Sequence, residues 1–170
     1  MVYFRKAGID STDELVRLWS ETFRQAYKDV HKEEDILAYC TQNYTVESAQ
    51  KVLSNDQSDC IIAYRNEKPV GYYVIQRHPC PINVAGSSLE LKQIYILAEE
   101  YGTGLGKALY EHAVENAKTK NNQWFWLCIS DINFRAQSFY KKLEFKAIGK
   151  GPKLIVGDDF LSSTIMICNL

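Results

Sequence analysis

Apolar and polar positions change their period several times along the chain. Val2 to Lys6 alternates every second residue, which predicts a short strand. Residues 11–14 read Ser-Thr-Asp-Glu, the S-x-x-E pattern of a capping box. Beyond it Leu15, Leu18, Trp19, Thr22, Phe23 and Ala26 recur at helical spacing, predicting an amphipathic helix. Residues 31–39 predict a second helix with Ile36 and Leu37 turned inward, and residues 45–53 a short third. Two strands follow, over 59–64 and 69–76, joined by the polar turn Arg65-Asn66-Glu67-Lys68, a hairpin signal. Gly71 inside the second strand points to a bulge or a close backbone approach.

Residues 78–88 hold two prolines and a glycine, and predict a loop bordering a cleft. Residues 89–97 form a strand entering a glycine-rich turn, and 104–118 an amphipathic helix leaving it. Strand parity puts Glu90, Lys92, Ile94 and Ile96 on one face and Leu89, Leu91, Gln93, Tyr95 and Leu97 on the other, unless a bulge intervenes. The segment Gln-Trp-Phe-Trp-Leu-Cys-Ile at 123–129 is apolar almost throughout, as in a strand buried on both faces. A helix over 133–143 and strands near 145–149 and 162–168 follow, the strands separated by a Gly/Pro/Asp loop. This order implies a mixed α/β sheet flanked by helices, in a single domain covering 1–170.

Bulk properties narrow the picture. At 170 residues the chain can bury a full core, and a net charge of −1 gives no general footprint for nucleic acid or a membrane surface. No apolar run approaches the roughly 20 residues of a bilayer span, and Arg5 and Lys6 interrupt the first apolar segment, unlike a signal peptide. Cys40, Cys60, Cys80, Cys128 and Cys168 are odd in number and widely spaced, which suits core thiols in a reducing, cytoplasmic setting rather than a disulfide framework. His31, His78 and His112 form no ligand-like pair with one another or with a cysteine, so no metal is expected.

The candidate chemistry sits in Tyr101-Gly102-Thr103-Gly104-Leu105-Gly106-Lys107. Three alternate glycines let backbone N–H groups converge on an anion at the positive end of the following helix, a phosphate cradle. A Walker A loop requires four residues between its glycines and then Lys-Ser/Thr; here three separate Gly102 from Gly106, and Ala108 occupies the hydroxyl position. A dinucleotide fingerprint requires G-x-G-x-x-G in a leading βαβ unit, and this is G-x-G-x-G beyond mid-chain.

The strand, glycine loop and helix resemble motif A of the GNAT superfamily of acyl-CoA N-acyltransferases, with Gly104 and Gly106 at its two small positions and Tyr101 in place of its usual Gln or Arg. Residues 133–145 resemble the superfamily's motif B, N-x-x-A-x-x-F-Y-x-K-x-G-F, through Asn133, Ala136, Phe139, Tyr140, Lys142 and Phe145; Glu144 replaces the glycine. The resemblance implies the GNAT fold, in which the strand before the loop and the strand after its helix splay apart to admit the pantetheine of acetyl-CoA. It also implies roles. Gly102, Thr103, Gly104, Leu105, Gly106 and Lys107 would hold the pyrophosphate. Backbone groups of Ile94, Tyr95 and Ile96 would pair with pantetheine. Asn133 and Lys142 would contact the nucleotide end, Tyr140 would protonate the leaving thiolate, and Glu90 would be the general base.

The N-terminal half and the segment Pro69-Val70-Gly71-Tyr72 are similar to PaiA-type polyamine N-acetyltransferases. That likeness implies a polyamine acceptor, with Phe23, Tyr27, Tyr39 and Tyr44 either core packing or the lining of an amine pocket. Glu21, Asp29, Glu33, Glu34 and Asp35 would then face a polycation, or form a solvated helix face. Another acceptor (aminoglycoside, amino acid or protein N-terminus) and a non-catalytic acyl-CoA sensor stay open, as do monomer and homodimer.

Overall fold

A computed structural model describes residues 1–170. In chain order the elements are β1 (Val2–Lys6), α1 (Thr12–Tyr27), α2 (Glu33–Asn43), α3 (Val46–Ser54), β2 (Ser58–Arg65), β3 (Lys68–Gln76), β4 (Ser88–Ile96), α4 (Leu105–Lys118), β5 (Trp124–Ser130), α5 (Phe134–Lys142), β6 (Lys146–Lys150), β7 (Leu154–Val156), β8 (Asp159–Leu161) and β9 (Ser163–Asn169). Seven strands form one sheet in the order β1-β2-β3-β4-β5-β9-β6, and β7 and β8 pair as a separate hairpin. No helix is long and apolar enough to cross a membrane.

Each face of the sheet carries its own core. Helices α4 and α5 cover one face, where Leu109, Ala113 and Tyr140 pack on Tyr73, Ile75, Leu89, Leu91, Phe125 and Leu127. Helices α1 and α3 cover the other, where Leu15, Leu18, Trp19 and Ala49 pack on Ile62, Tyr72 and Val74. Gly71 permits a tight fit between β3 and β4: a Cβ there would lie 2.8 Å from the Tyr95 carbonyl oxygen and 3.1 Å from Leu109 Cδ1. Gly71→Val is therefore expected to lower stability by about 1–3 kcal/mol through overpacking, read as a drop in the urea midpoint. An unchanged midpoint would show the approach to be slack. The β2–β3 register also shifts between Ala63 and Tyr64, opposite this segment, so both readings of Gly71 hold.

Three local expectations are corrected. The capping box at Ser11 does not form, because a 3-10 turn at Ile9–Ser11 runs straight into α1; Ser11 Oγ is buried without a partner. A reciprocal box forms instead at Thr45 and Ser48. In α2, Leu37 points to solvent, and Cys40, one turn on from Ile36, faces inward with it. The stretch between β6 and β9 is not simply loop: it contains the β7–β8 hairpin, whose Val156 and Leu161 pack against Phe23, Tyr27 and Ile36.

The bulge that parity left open exists. Val74 pairs with Gln93 but Ile75 with Leu91, so Lys92 is the extra residue of β4. Below the bulge Leu89 and Leu91 join the α4 face; above it Ile94 and Ile96 do. Glu90 consequently lies on the opposite face, the side of Gln93 and Tyr95, and not with Ile94 and Ile96.

Candidate active site

The parallel partners β4 and β5 pair over only three residues, Ser88–Trp124, Leu89–Phe125 and Glu90–Trp126. Beyond them β4 stays with β3 along its length while β5 stays with β9, and a gap opens. The bulge at Lys92 bends β4 just where the two part. Leu97 N–H donates to Val70 O at 2.9 Å, and bonded pairs alternate along antiparallel strands. Tyr95 therefore turns its backbone groups to Tyr72 of β3, whereas Ile94 and Ile96 turn theirs to the gap. Of the three positions expected to present backbone to pantetheine, Ile94 and Ile96 turn theirs to the gap and Tyr95 does not.

The glycine turn stands at the mouth of this gap. Gly102 and Gly104 have φ of +80° and +88°, and nothing lies within 4 Å of where a Cβ would stand at either. Gly104 caps α4 without a side-chain bond. Leu105 N–H is held by Thr103 Oγ1 at 3.3 Å while its side chain enters the core, so the next amides, Gly106 and Lys107, are the orphan donors of the helix start. Thr103 is committed inward: its hydroxyl donates to the Glu100 backbone and carboxylate at 2.9 and 3.0 Å. Glu100 is buried and gripped at 2.7 and 2.8 Å by Arg65 of β2, whose hydrogen bonds hold its carboxyl below the usual value. This pair, buried on the Glu100 side, fixes the turn to the sheet.

On the other flank, Asn133 caps α5, its Oδ1 accepting from Ala136 N–H at 3.2 Å. Lys142 lies in the last turn of α5, roughly 13 Å along the axis from that cap. Tyr140 is buried against Phe139 and Phe145. Burial pushes its phenol well up, the Tyr27 phenol adds to the shift, and no side-chain hydrogen bond restrains it. Tyr27 packs with the α1–α2 side and Tyr140 with the α4–α5 side, and both act on Tyr95. The gap is where the two faces meet.

At the closed end of the gap Glu90 opens into a cavity of about 450 Å³ walled by Trp126, Cys128, Ile82 and Ile165, with His78 and Lys150 at its edge. The Glu90 side chain is 14% exposed, and its Oε2 is 3.1 Å from His78 Nδ1. Both tryptophans of β5 strap the preceding loop in place: Trp126 Nε1 donates to His78 O at 2.9 Å and Trp124 Nε1 to Ala85 O at 2.7 Å. The loop expected to border a cleft does so. Cys128 is only half-buried and lines the cavity, but burial pushes its thiol up and it donates to Ser163 Oγ at 3.2 Å, so it is a poor nucleophile.

His78 and Arg135 were missed by sequence reasoning. Nothing in the spacing tied His78 to Glu90, and Arg135, whose Cζ lies 3.2 Å from the Tyr101 ring centroid, is 34 positions away. A search for cations facing the loop from the motif-B helix was the one signal available for Arg135.

The sequence profile of the acetyltransferase (GNAT) family matches residues 12–145, spanning the gap, the cradle and α5. The chain belongs to that family. GNAT proteins similar to it include an uncharacterized N-acetyltransferase of Archaeoglobus fulgidus, 26% identical over 142 residues (84% of this chain, 91% of that one). One of Mycobacterium tuberculosis is 27% identical over 137 residues, 81% of this chain and 84% of the relative. Among solved structures, a PaiA N-acetyltransferase from Thermoplasma acidophilum in complex with coenzyme A superposes with a TM-score of 0.81, at 22% identity over 100% of this chain and 99% of that one. An N-acetyltransferase from Staphylococcus aureus gives 0.73 at 15% identity, covering 99% and 97%. The mixed seven-stranded sheet with its parted strands is thus the GNAT fold, and the GNAT activity is N-acetyl transfer.

Proposed function

We propose that this enzyme transfers the acetyl group of acetyl-CoA directly to a primary amine, with a polyamine such as spermidine or spermine as acceptor. The observation that carries the reading is the gap between β4 and β5, which has an open amide cradle at its mouth and a carboxylate-bearing cavity at its closed end. Pantetheine laid along β4 would bond the free backbone groups of Ile94 and Ile96, bringing the thioester between Glu90 and Tyr140.

A primary amine has a pKa near 10.4 and arrives protonated. Glu90, directly or through one water, takes a proton from the ammonium, and the freed nitrogen lone pair attacks the thioester carbonyl carbon. The carbonyl π-electrons move to oxygen, where an N–H of the β4 edge stabilises the negative charge. Collapse breaks the C–S bond, and Tyr140 gives its proton to the departing sulfur. The amide nitrogen gives its remaining extra proton through water to the Tyr140 phenolate, restoring the phenol, and Glu90 releases its proton to solvent, leaving N-acetyl amine and CoA.

A polycationic acceptor is supported by the acidic residues Asp29, Glu33, Glu34 and Asp35 around the α2 start, which the hairpin turn carrying Asp158 and Asp159 approaches at two points. His31 Nδ1 lies 2.9 Å from Asp159, and Gly157 packs on Asp35. The test is thiol release from acetyl-CoA over a panel of polyamines, monoamines, amino acids, aminoglycosides and N-terminal peptides. Preferred turnover of spermidine or spermine is expected. Preference for another class sinks the polyamine reading, and CoA binding without turnover on any amine sinks catalysis.

Glu90→Gln should depress the rate most at low pH. With no base, turnover follows the free amine fraction, which falls tenfold per unit below the amine's pKa. A pH–rate profile superimposable on wild type would remove Glu90 as base.

A further inference from the structure

We propose that Arg135, held face-on against Tyr101, supplies the cation of the CoA phosphate cradle that the glycine loop itself lacks. The proposal rests on acetyl-CoA being the co-substrate. Tyr101 immediately precedes Gly102 and offers the loop no charge. The Lys107 ammonium is drawn along α4 to Glu111 at 3.6 Å. The loop's amides would then face a multiply charged phosphate group with one surface lysine, itself shared with Glu111, as their only side-chain cation.

Arg135 reaches the same place from a different element. It lies in the first turn of α5, exposed, with no carboxylate in ion-pair range, and its Cζ sits 3.2 Å from the Tyr101 ring centroid. Phe139, one turn further along the same ridge of α5, lies 3.9 Å from where a Cβ of Gly106 would stand. The Arg135–Phe139 ridge therefore runs alongside the start of α4. Stacking on Tyr101 occupies only the face of the guanidinium. Its N–H donors lie in the edge, free to grip two phosphate oxygens in the bidentate manner arginine favours. Tyr101 is then a positioning residue: its ring fixes the plane of the guanidinium beside the open amides.

The experiment measures CoA affinity by titration calorimetry for wild type, Arg135→Gln and the double variant Tyr101→Arg/Arg135→Gln. Turnover is followed with acetyl-CoA and with S-acetylpantetheine, which lacks the phosphates. Arg135→Gln is expected to weaken CoA binding by about 10–100-fold and to raise KM for acetyl-CoA far more than it changes kcat. S-Acetylpantetheine turnover should stay as in wild type, and moving the cation into the loop in the double variant should restore most of the affinity. Wild-type CoA affinity in Arg135→Gln overturns the proposal, and so does a parallel loss with S-acetylpantetheine, which marks a merely structural role. A wild-type protein that itself fails to bind CoA removes the cofactor reading, a result distinct from either.

Discussion

Tyr140→Phe is expected to lower kcat by about 10²–10⁴-fold while leaving CoA affinity close to wild type. The substitution removes one oxygen from a side chain already packed against Phe139 and Phe145, so the fold has little to lose. Burial and the nearby Tyr27 hold the Tyr140 phenol protonated well above neutral pH, so the proton is present when sulfur departs. The same burial would make a phenol a reluctant donor to a thiolate in water, whose pKa is about 8.5. A thiolate formed inside the gap is desolvated too, and its pKa rises with that of the phenol, which brings donor and acceptor back toward a match. Stopped-flow or steady-state thiol release on an accepted amine measures the effect. Turnover equal to wild type would eliminate Tyr140 as the acid.

Alkaline titration is expected to unfold the protein cooperatively within about one to two pH units above pH 10. Burial raises the phenols of Tyr72, Tyr73, Tyr110 and Tyr140 above their ordinary value of about 10. A group whose pKa is higher folded than unfolded contributes its full stabilisation below the unfolded value. That contribution falls as pH rises beyond it, at about 1.4 kcal/mol per unit. Four such groups together lose about 5 kcal/mol per pH unit, comparable with the whole stability of a domain, about 5–15 kcal/mol. Phenolate absorbance and far-UV circular dichroism should change together. Full phenol ionisation near pH 10 with the dichroism intact would show these rings to be open to water.

Local chemistry made much of this legible in advance. The polar turn at Asn66 and Glu67, both at positive φ, the amphipathic stripe of α1 and the apolar run of β5 lie in short windows whose periodicity answers to one buried surface. The glycine loop was legible because a turn with positive φ calls for glycine, as at Gly102 and Gly104. The Ser11 box failed because Ser11 closes a 3-10 turn that runs into α1, which takes its backbone out of the extended N-cap conformation.

By itself, then, the sequence determined most of the element order, the glycine turn and the family, since each depends on neighbours within a few turns of chain; the β7–β8 hairpin and the 3-10 turn before α1 it did not. Tertiary structure alone decided which face of β4 carries Glu90, that Tyr95 spends its backbone on β3, and that His78 and Arg135 reach the site. A bulge shows only in the pairing of two strands, and a hydrogen bond or stacked cation between distant positions depends on where packing brings them, which no periodicity along one chain records.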